Sequence, residues 1–125
     1  MRTLVERGKP VWLVLNIPSS PGLMPLLSLR RSLAGGTSFV PLKLDRAEFE
    51  RTWGPIKAKL IEAAKASGAG IIDPMPWLCD AAACPGQTAD GVPLYTDGGH
   101  LRASWVREHA TFLDATLGVE TSSTR

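Results

Sequence analysis

The sequence predicts an α/β domain with a parallel sheet, on three observations taken in chain order. Val11 to Ile17 (VWLVLNI) is a nearly unbroken apolar run between Pro10 and Pro18. A run without alternation is the pattern of a parallel strand covered on both faces. Next, Asp45 with Glu48 three positions on makes a capping-box-like start, after which Phe49, Trp53, Ile56, Leu60 and Ala64 recur on one helical face. Gly54-Pro55 interrupts that face, so a kinked helix or two helices are expected, stopping near Ser67 with Gly68 behind it. Finally, Gly70-Ile71-Ile72-Asp73-Pro74 supplies a second short apolar run. Strand, helix, strand in that order predicts a right-handed crossover, with Val11–Ile17 parallel to Gly70–Asp73.

The remaining segments are weaker. Leu4 and Val5 before Gly8-Lys9-Pro10 read as the last turn of a helix with its glycine stop. A short helix is expected from about Pro25 to Leu33, ended by Gly35 and Gly36. Met75 to Gly99 reads mostly as loop, too long to be a simple connection in a compact domain. A last helix is expected from about Arg102 to Leu117, apolar through Trp105, Val106, Phe112, Leu113 and Leu117, with Gly118 as its stop. One domain over residues 1–118 is the expectation, with 119–125 a polar tail.

With 44% hydrophobic and 21% charged residues, the 125-residue chain has the composition of a globular domain. Its net charge of +2 comes from scattered Lys and Arg without a basic stripe, which argues against a nucleic-acid partner. No run of about 18 apolar residues exists, so no transmembrane helix is expected. A secretory signal is not expected either: Glu6 sits in the n-region, and Asn16 and Pro18 cut the apolar run short. No pattern calls for a cofactor. Cys79 and Cys84 suit a small disulfide loop, or else two free cytosolic thiols, and the sequence leaves both open. Zinc is disfavoured, since fifteen residues separate Cys84 from His100 and eight separate His100 from His109.

The one acid/base constellation is Tyr95-Thr96-Asp97-Gly98-Gly99-His100-Leu101. Two glycines between Asp97 and His100 let the chain fold back, so that the carboxylate can accept the Nδ1 proton and leave Nε2 to act as a general base. The plain alternative is a helix-capping Asp and a surface His.

The surrounding string is more specific. It reads Ile71-Ile72-Asp73-Pro74, then Leu78-Cys79 and Cys84-Pro85, then Asp90-Gly91-Val92-Pro93-Leu94-Tyr95, then Asp97-Gly98-Gly99-His100-Leu101. In that order these motifs resemble the C-terminal end of the SGNH domains fused to multi-pass membrane O-acyltransferases of the acyltransferase-three family. Gly8-Lys9-Pro10-Val11, before a strand that ends in Pro18, resembles the same domain slightly upstream. The resemblance covers about Leu4 to Leu117. It implies a partial flavodoxin-like three-layer sandwich and an acyl group moved to or from a carbohydrate by Ser, His and Asp. It also implies His100 as general base, Asp97 as its orienting partner, a Cys79–Cys84 disulfide, and Tyr95 as support for the active-site loop. Where many members read H-L-S with a glycine three residues on, this chain has Arg102 and Trp105.

The family's Gly-Asp-Ser block and its Gly and Asn oxyanion loops have no counterpart here. Ser19 and Ser20 lack the Gly-Asp context, and Ser28, Ser32 and Ser104 read as helix surface. Met1 is therefore expected to mark a truncated or mis-started reading frame, with a membrane acyltransferase domain upstream in the parent protein. The chain by itself is expected to be inactive. Carbohydrate or an acyl donor is the expected substrate, and the periplasmic side of the inner membrane the expected location, or the cytoplasm if the chain is made alone. Two other readings remain: a non-catalytic α/β interaction module that lost its nucleophile, and a cytosolic α/β domain with reduced cysteines.

Overall fold

The computed structural model describes residues 1–31, 33 and 35–118; the expected tail at 119–125 and Ser32 lie outside the described residues. A short helix α1 (Arg2–Glu6) precedes strand β1 (Trp12–Val14). Two 3-10 turns, Pro21–Leu23 and Pro25–Ser28, lead into β2 (Leu29–Arg31) and β3 (Thr37–Phe39). Then come β4 (Lys43–Asp45), the long helix α2 (Arg46–Ser67) and β5 (Gly70–Ile72). Helix α3 (Met75–Leu78), β6 (Ala83–Pro85), α4 (Ala103–His109) and a 3-10 segment, Thr111–Leu117, complete the described chain.

β1 and β5 pair in parallel, with Trp12 opposite Gly70 and Val14 opposite Ile72. α2 lies between them in the chain, giving the expected strand, helix, strand unit. Both faces of β1 were expected to be covered; instead Trp12 and Val14 stay 40% and 45% exposed. On the same face Ile72, opposite Val14, is buried with Ala110 and Phe112, so cover reaches β5 but stops short of β1.

α2 starts where its cap residues dictate. The Asp45 carboxylate accepts the Glu48 amide (2.8 Å), and Gly68, at φ +74°, closes the last turn in the left-handed region. Of the two expectations at Pro55, the break into two helices is not seen: one helix runs through it. Pro55 deprives the Arg51 carbonyl of its amide, but both residues face solvent, where water can serve that carbonyl. Midway along α2 Lys57 Nζ donates to Asp73 Oδ2 (2.6 Å), while Asp73 Oδ1 accepts the Met75 amide (3.1 Å). This ties α2 to the exit of β5.

Three further expectations need correction. The helix expected over Pro25–Leu33 is a 3-10 turn followed by the antiparallel pair β2–β3. Both strands are exposed throughout, so no apolar face was present to hold a helix. The loop expected from Met75 to Gly99 contains α3 and β6, the latter antiparallel to β4 with Cys84 opposite Leu44. The last helix breaks at Ala110 (φ −81°, ψ 47°). In a straight helix residues two apart point about 200° away from each other. The break lets Ala110 and Phe112 join Ile72 in one buried cluster.

Cys79 and Cys84 are disulfide-bonded, with Cα atoms 4.1 Å apart. Cys84 is fully buried with Phe49 and Met75. Inside the small loop Asp80 accepts the amides of Ala82 and Ala83, both at 2.7 Å, which holds its carboxyl below the usual range. Replacing both cysteines by serine is expected to destabilise the domain by about 2 kcal/mol through loop-closure entropy, given the short separation. Chemical denaturation with and without a thiol reductant measures this. An unchanged midpoint on reduction would show that the bond contributes nothing.

Candidate active site

Residues 94 to 102 form a tight hairpin with Asp97-Gly98-Gly99 at its tip. Tyr95 and Leu101 pair across the base, and the Arg102 amide donates to the Leu94 carbonyl (2.8 Å). Thr96 closes the next rung, its amide (2.8 Å) and its hydroxyl (3.1 Å) both donating to the His100 carbonyl.

At the tip, Asp97 Oδ1 accepts the amides of Gly99 (2.7 Å) and His100 (2.9 Å). The ring Nδ1 of His100 lies 2.9 Å from Oδ2 and 3.1 Å from Oδ1. The Gly99 amide first, and then the His100 side chain, holds the Asp97 carboxyl below its ordinary 3.8. Asp97 is therefore a carboxylate at neutral pH and can only accept, so Nδ1 carries the proton. That leaves Nε2 as the ring's lone-pair nitrogen. His100 is 82% exposed at its side chain, and among the described residues its ring bonds only Asp97. The imidazole is aimed by two backbone donors and a carboxylate rather than by burial.

The tip is seated against the loop that leaves β1. The Ser20 amide donates to the Gly98 carbonyl (2.8 Å), and a Cβ on Gly98 would collide with the Ser20 carbonyl. Glycine at 98 thus permits the contact that holds the Asp97 turn beside the carboxyl end of a parallel strand, where α/β sites form. An open hollow of about 520 Å³, lined by Ser19, Ser20, Pro21, Met24, Trp53, Asp97 and Gly98, lies there.

Two of the candidate serines are engaged elsewhere, whereas Ser19 lines the hollow and its hydroxyl bonds neither the His100 ring nor another described residue. Ser20 Oγ accepts the Gly22 amide (3.1 Å), and buried Ser28 donates to the Pro25 carbonyl (2.7 Å). Ser104 is exposed on α4. Among the described residues no serine hydroxyl bonds the His100 ring.

Tyr95 is fully buried with Leu23 and Leu94, flanked by Ile17, Leu44, Leu101 and Trp105. Burial pushes its phenol up to about 12, and the hydroxyl has no hydrogen-bond partner among the described residues. Packing, not a hydrogen bond, is what Tyr95 gives the hairpin. Sequence reasoning missed the Thr96 rung, the close seat of Gly98 and the Ser20 backbone that meets it. Thr-Asp-Gly-Gly between apolar Tyr95 and Leu101 is a hairpin-turn signal that could have shown the first two.

Comparison with known proteins gives one match. The model of a family described as the SGNH domain (fused to AT3 domains) matches residues 1–115. No curated protein and no solved structure matches the chain.

Proposed function

Since the chain belongs to the family of SGNH domains that occur fused to AT3 domains, a family of hydrolase and acyltransferase type, we propose that it supplies the Asp-His part of a serine-hydrolase triad. The reaction in this reading is acyl transfer to, or removal from, a carbohydrate. The Asp97–His100 geometry carries it: a carboxylate fixed by two amides orients one imidazole nitrogen and leaves the other facing open space.

His100 Nε2 takes the proton of an attacking serine hydroxyl as the hydroxyl adds to an acyl carbonyl. The imidazolium so formed is stabilised by Asp97 and returns the proton to the leaving oxygen. In the second half the same nitrogen deprotonates a carbohydrate hydroxyl or water, which releases the acyl group. No Gly-Asp-Ser string occurs among these 125 residues. The nucleophile and its oxyanion donors accordingly come from a segment outside them, and residues 1–118 act as the C-terminal portion of the domain. A membrane acyltransferase domain in the same protein delivers the acyl group, and the carbohydrate is met on the extracytoplasmic side. No described helix is long and apolar enough to cross a membrane.

An activated acetyl ester assayed with an oligosaccharide acceptor tests this reading. The chain alone is expected to show no His100-dependent turnover. Joined in frame to the Gly-Asp-Ser-bearing segment, it should show turnover that His100→Ala removes. Equal rates for that variant and its parent would take His100 out of the mechanism and leave a non-catalytic module.

A further inference from the structure

Away from the hairpin tip, a second and wider groove of about 660 Å³ runs between the disulfide loop, β4 and α4. We infer that this groove is a saccharide-binding cleft. That its occupant is the acceptor of acyl transfer rests on the function proposed above; that it is a carbohydrate rests on the lining.

Two indoles form its apolar surfaces. Trp77, on α3, is 49% exposed, although its ring also meets Phe112 (centroids 5.6 Å apart). Trp105, on α4, is stacked on His109 (5.2 Å, 8° between planes), which fixes the indole's orientation. The half-exposed Trp77 ring offers a flat apolar face for the C–H face of a pyranose at little cost in side-chain entropy. The more buried Trp105, packed on the Leu94 and Tyr95 cluster, adds a fixed apolar edge.

Polar groups matched to hydroxyls line the same groove. The Gln87 amide and the Lys43 ammonium line the groove and bond no described residue. Asp80 also lines it, ionised at neutral pH; its Oδ1 accepts two amides, and Oδ2 has no partner among the described residues. A sugar hydroxyl both donates and accepts, and the groove offers both kinds of partner. An acyl chain would not be matched to Asp80 and Lys43 on its walls. A nucleic acid would need more than one cation.

The cleft is also well placed. Leu94, on its wall, is three residues from Asp97, a separation of at most about 10 Å or one to two sugar rings. The disulfide and the Asp80 turn hold the part of the lining they supply, so little ordering is needed on binding.

Titration of the 125-residue chain with cellohexaose, chitohexaose and xylohexaose, followed on the four indole N–H resonances, tests the inference. Expected are saturable shifts of the Trp77 and Trp105 signals, but not those of Trp12 and Trp53, with at least one sugar at a Kd of about 1 mM or tighter. Trp77→Ala should weaken that binding about tenfold, and Gln87→Ala should weaken it in a fold whose aromatic packing is untouched. Silence of both signals at about 10 mM of every sugar, in a chain whose spectrum is folded, would overturn the cleft. So would sugar-free, concentration-dependent shifts of the same two signals abolished by Trp77→Ala, which would make the groove a contact between copies. Saccharide binding without His100-dependent turnover in the joined protein would sink the acyl-transfer reading and leave the cleft standing.

Discussion

Asp97→Asn is expected to lower acyl-transfer turnover about 10⁴-fold, measured in the polypeptide that joins this chain to a Gly-Asp-Ser-bearing segment. The amide oxygen of asparagine can still accept the Gly99 and His100 amides, so the hairpin tip should survive. What changes is the ring. An asparagine NH₂ facing Nδ1 favours the tautomer with a bare Nδ1 and a protonated Nε2, which cannot take the serine proton. It also removes the carboxylate that stabilises the imidazolium. His100→Ala should cost a similar factor, and the double variant little more than either alone, because the two groups act as a unit. A loss below about tenfold for Asp97→Asn would mean that His100, if it acts, acts without its partner.

Tyr95→Ala is expected to have the largest effect on stability, about 3–5 kcal/mol, or a fall of about 10–20 °C in Tm. The side chain is fully buried at the base of the hairpin that carries Asp97 and His100. Against a typical domain stability of about 5–15 kcal/mol, that loss leaves little margin. Tyr95→Phe should do the opposite, being neutral or stabilising by about 1 kcal/mol, because the hydroxyl it removes is buried without a partner among the described residues.

The same burial sets a pH dependence. Tyr95 ionises near 12 in the fold and near 10 in the unfolded chain, so between those values the folded state holds more protons. This contribution is therefore fully present below pH 10 and fades as pH rises to 12, by on the order of 3 kcal/mol. As the chain has one tyrosine, tyrosinate absorbance reads its ionisation directly. A native midpoint near 10 would mean that Tyr95 is solvated.

What the sequence made legible was whatever local chemistry dictates. Pro10 and Pro18 bracket the run that holds β1, though the strand itself covers only Trp12–Val14 of the expected Val11–Ile17. Asp45 and Gly68 delimit α2, and the apolar runs on either side of that helix form the expected parallel pair. The Asp97–His100 pairing was legible for the same reason, since a four-residue turn with two glycines has few ways to fold. What stayed hidden depends on distant partners. β4 becomes a strand only because Ala83–Pro85 lies beside it, forty residues later. The break at Ala110 carries no glycine or proline; it answers to the burial of Phe112 against Ile72. The groove lined by Trp77 and Trp105 was invisible because residues from α3 and α4 come to one groove only in the folded chain.

The tautomer of His100 tests the proposed chemistry most directly, since everything assigned to the ring requires a proton on Nδ1 and a lone pair on Nε2. Long-range ¹H–¹⁵N correlation spectra of the folded chain at neutral pH distinguish the two nitrogens. The expected spectrum shows a protonated Nδ1 and a bare Nε2 in the native protein, reversed in Asp97→Asn. A native ring with its proton on Nε2, or one whose tautomer ignores the substitution, would contradict the assignment of Asp97 as orienting partner and of His100 as base.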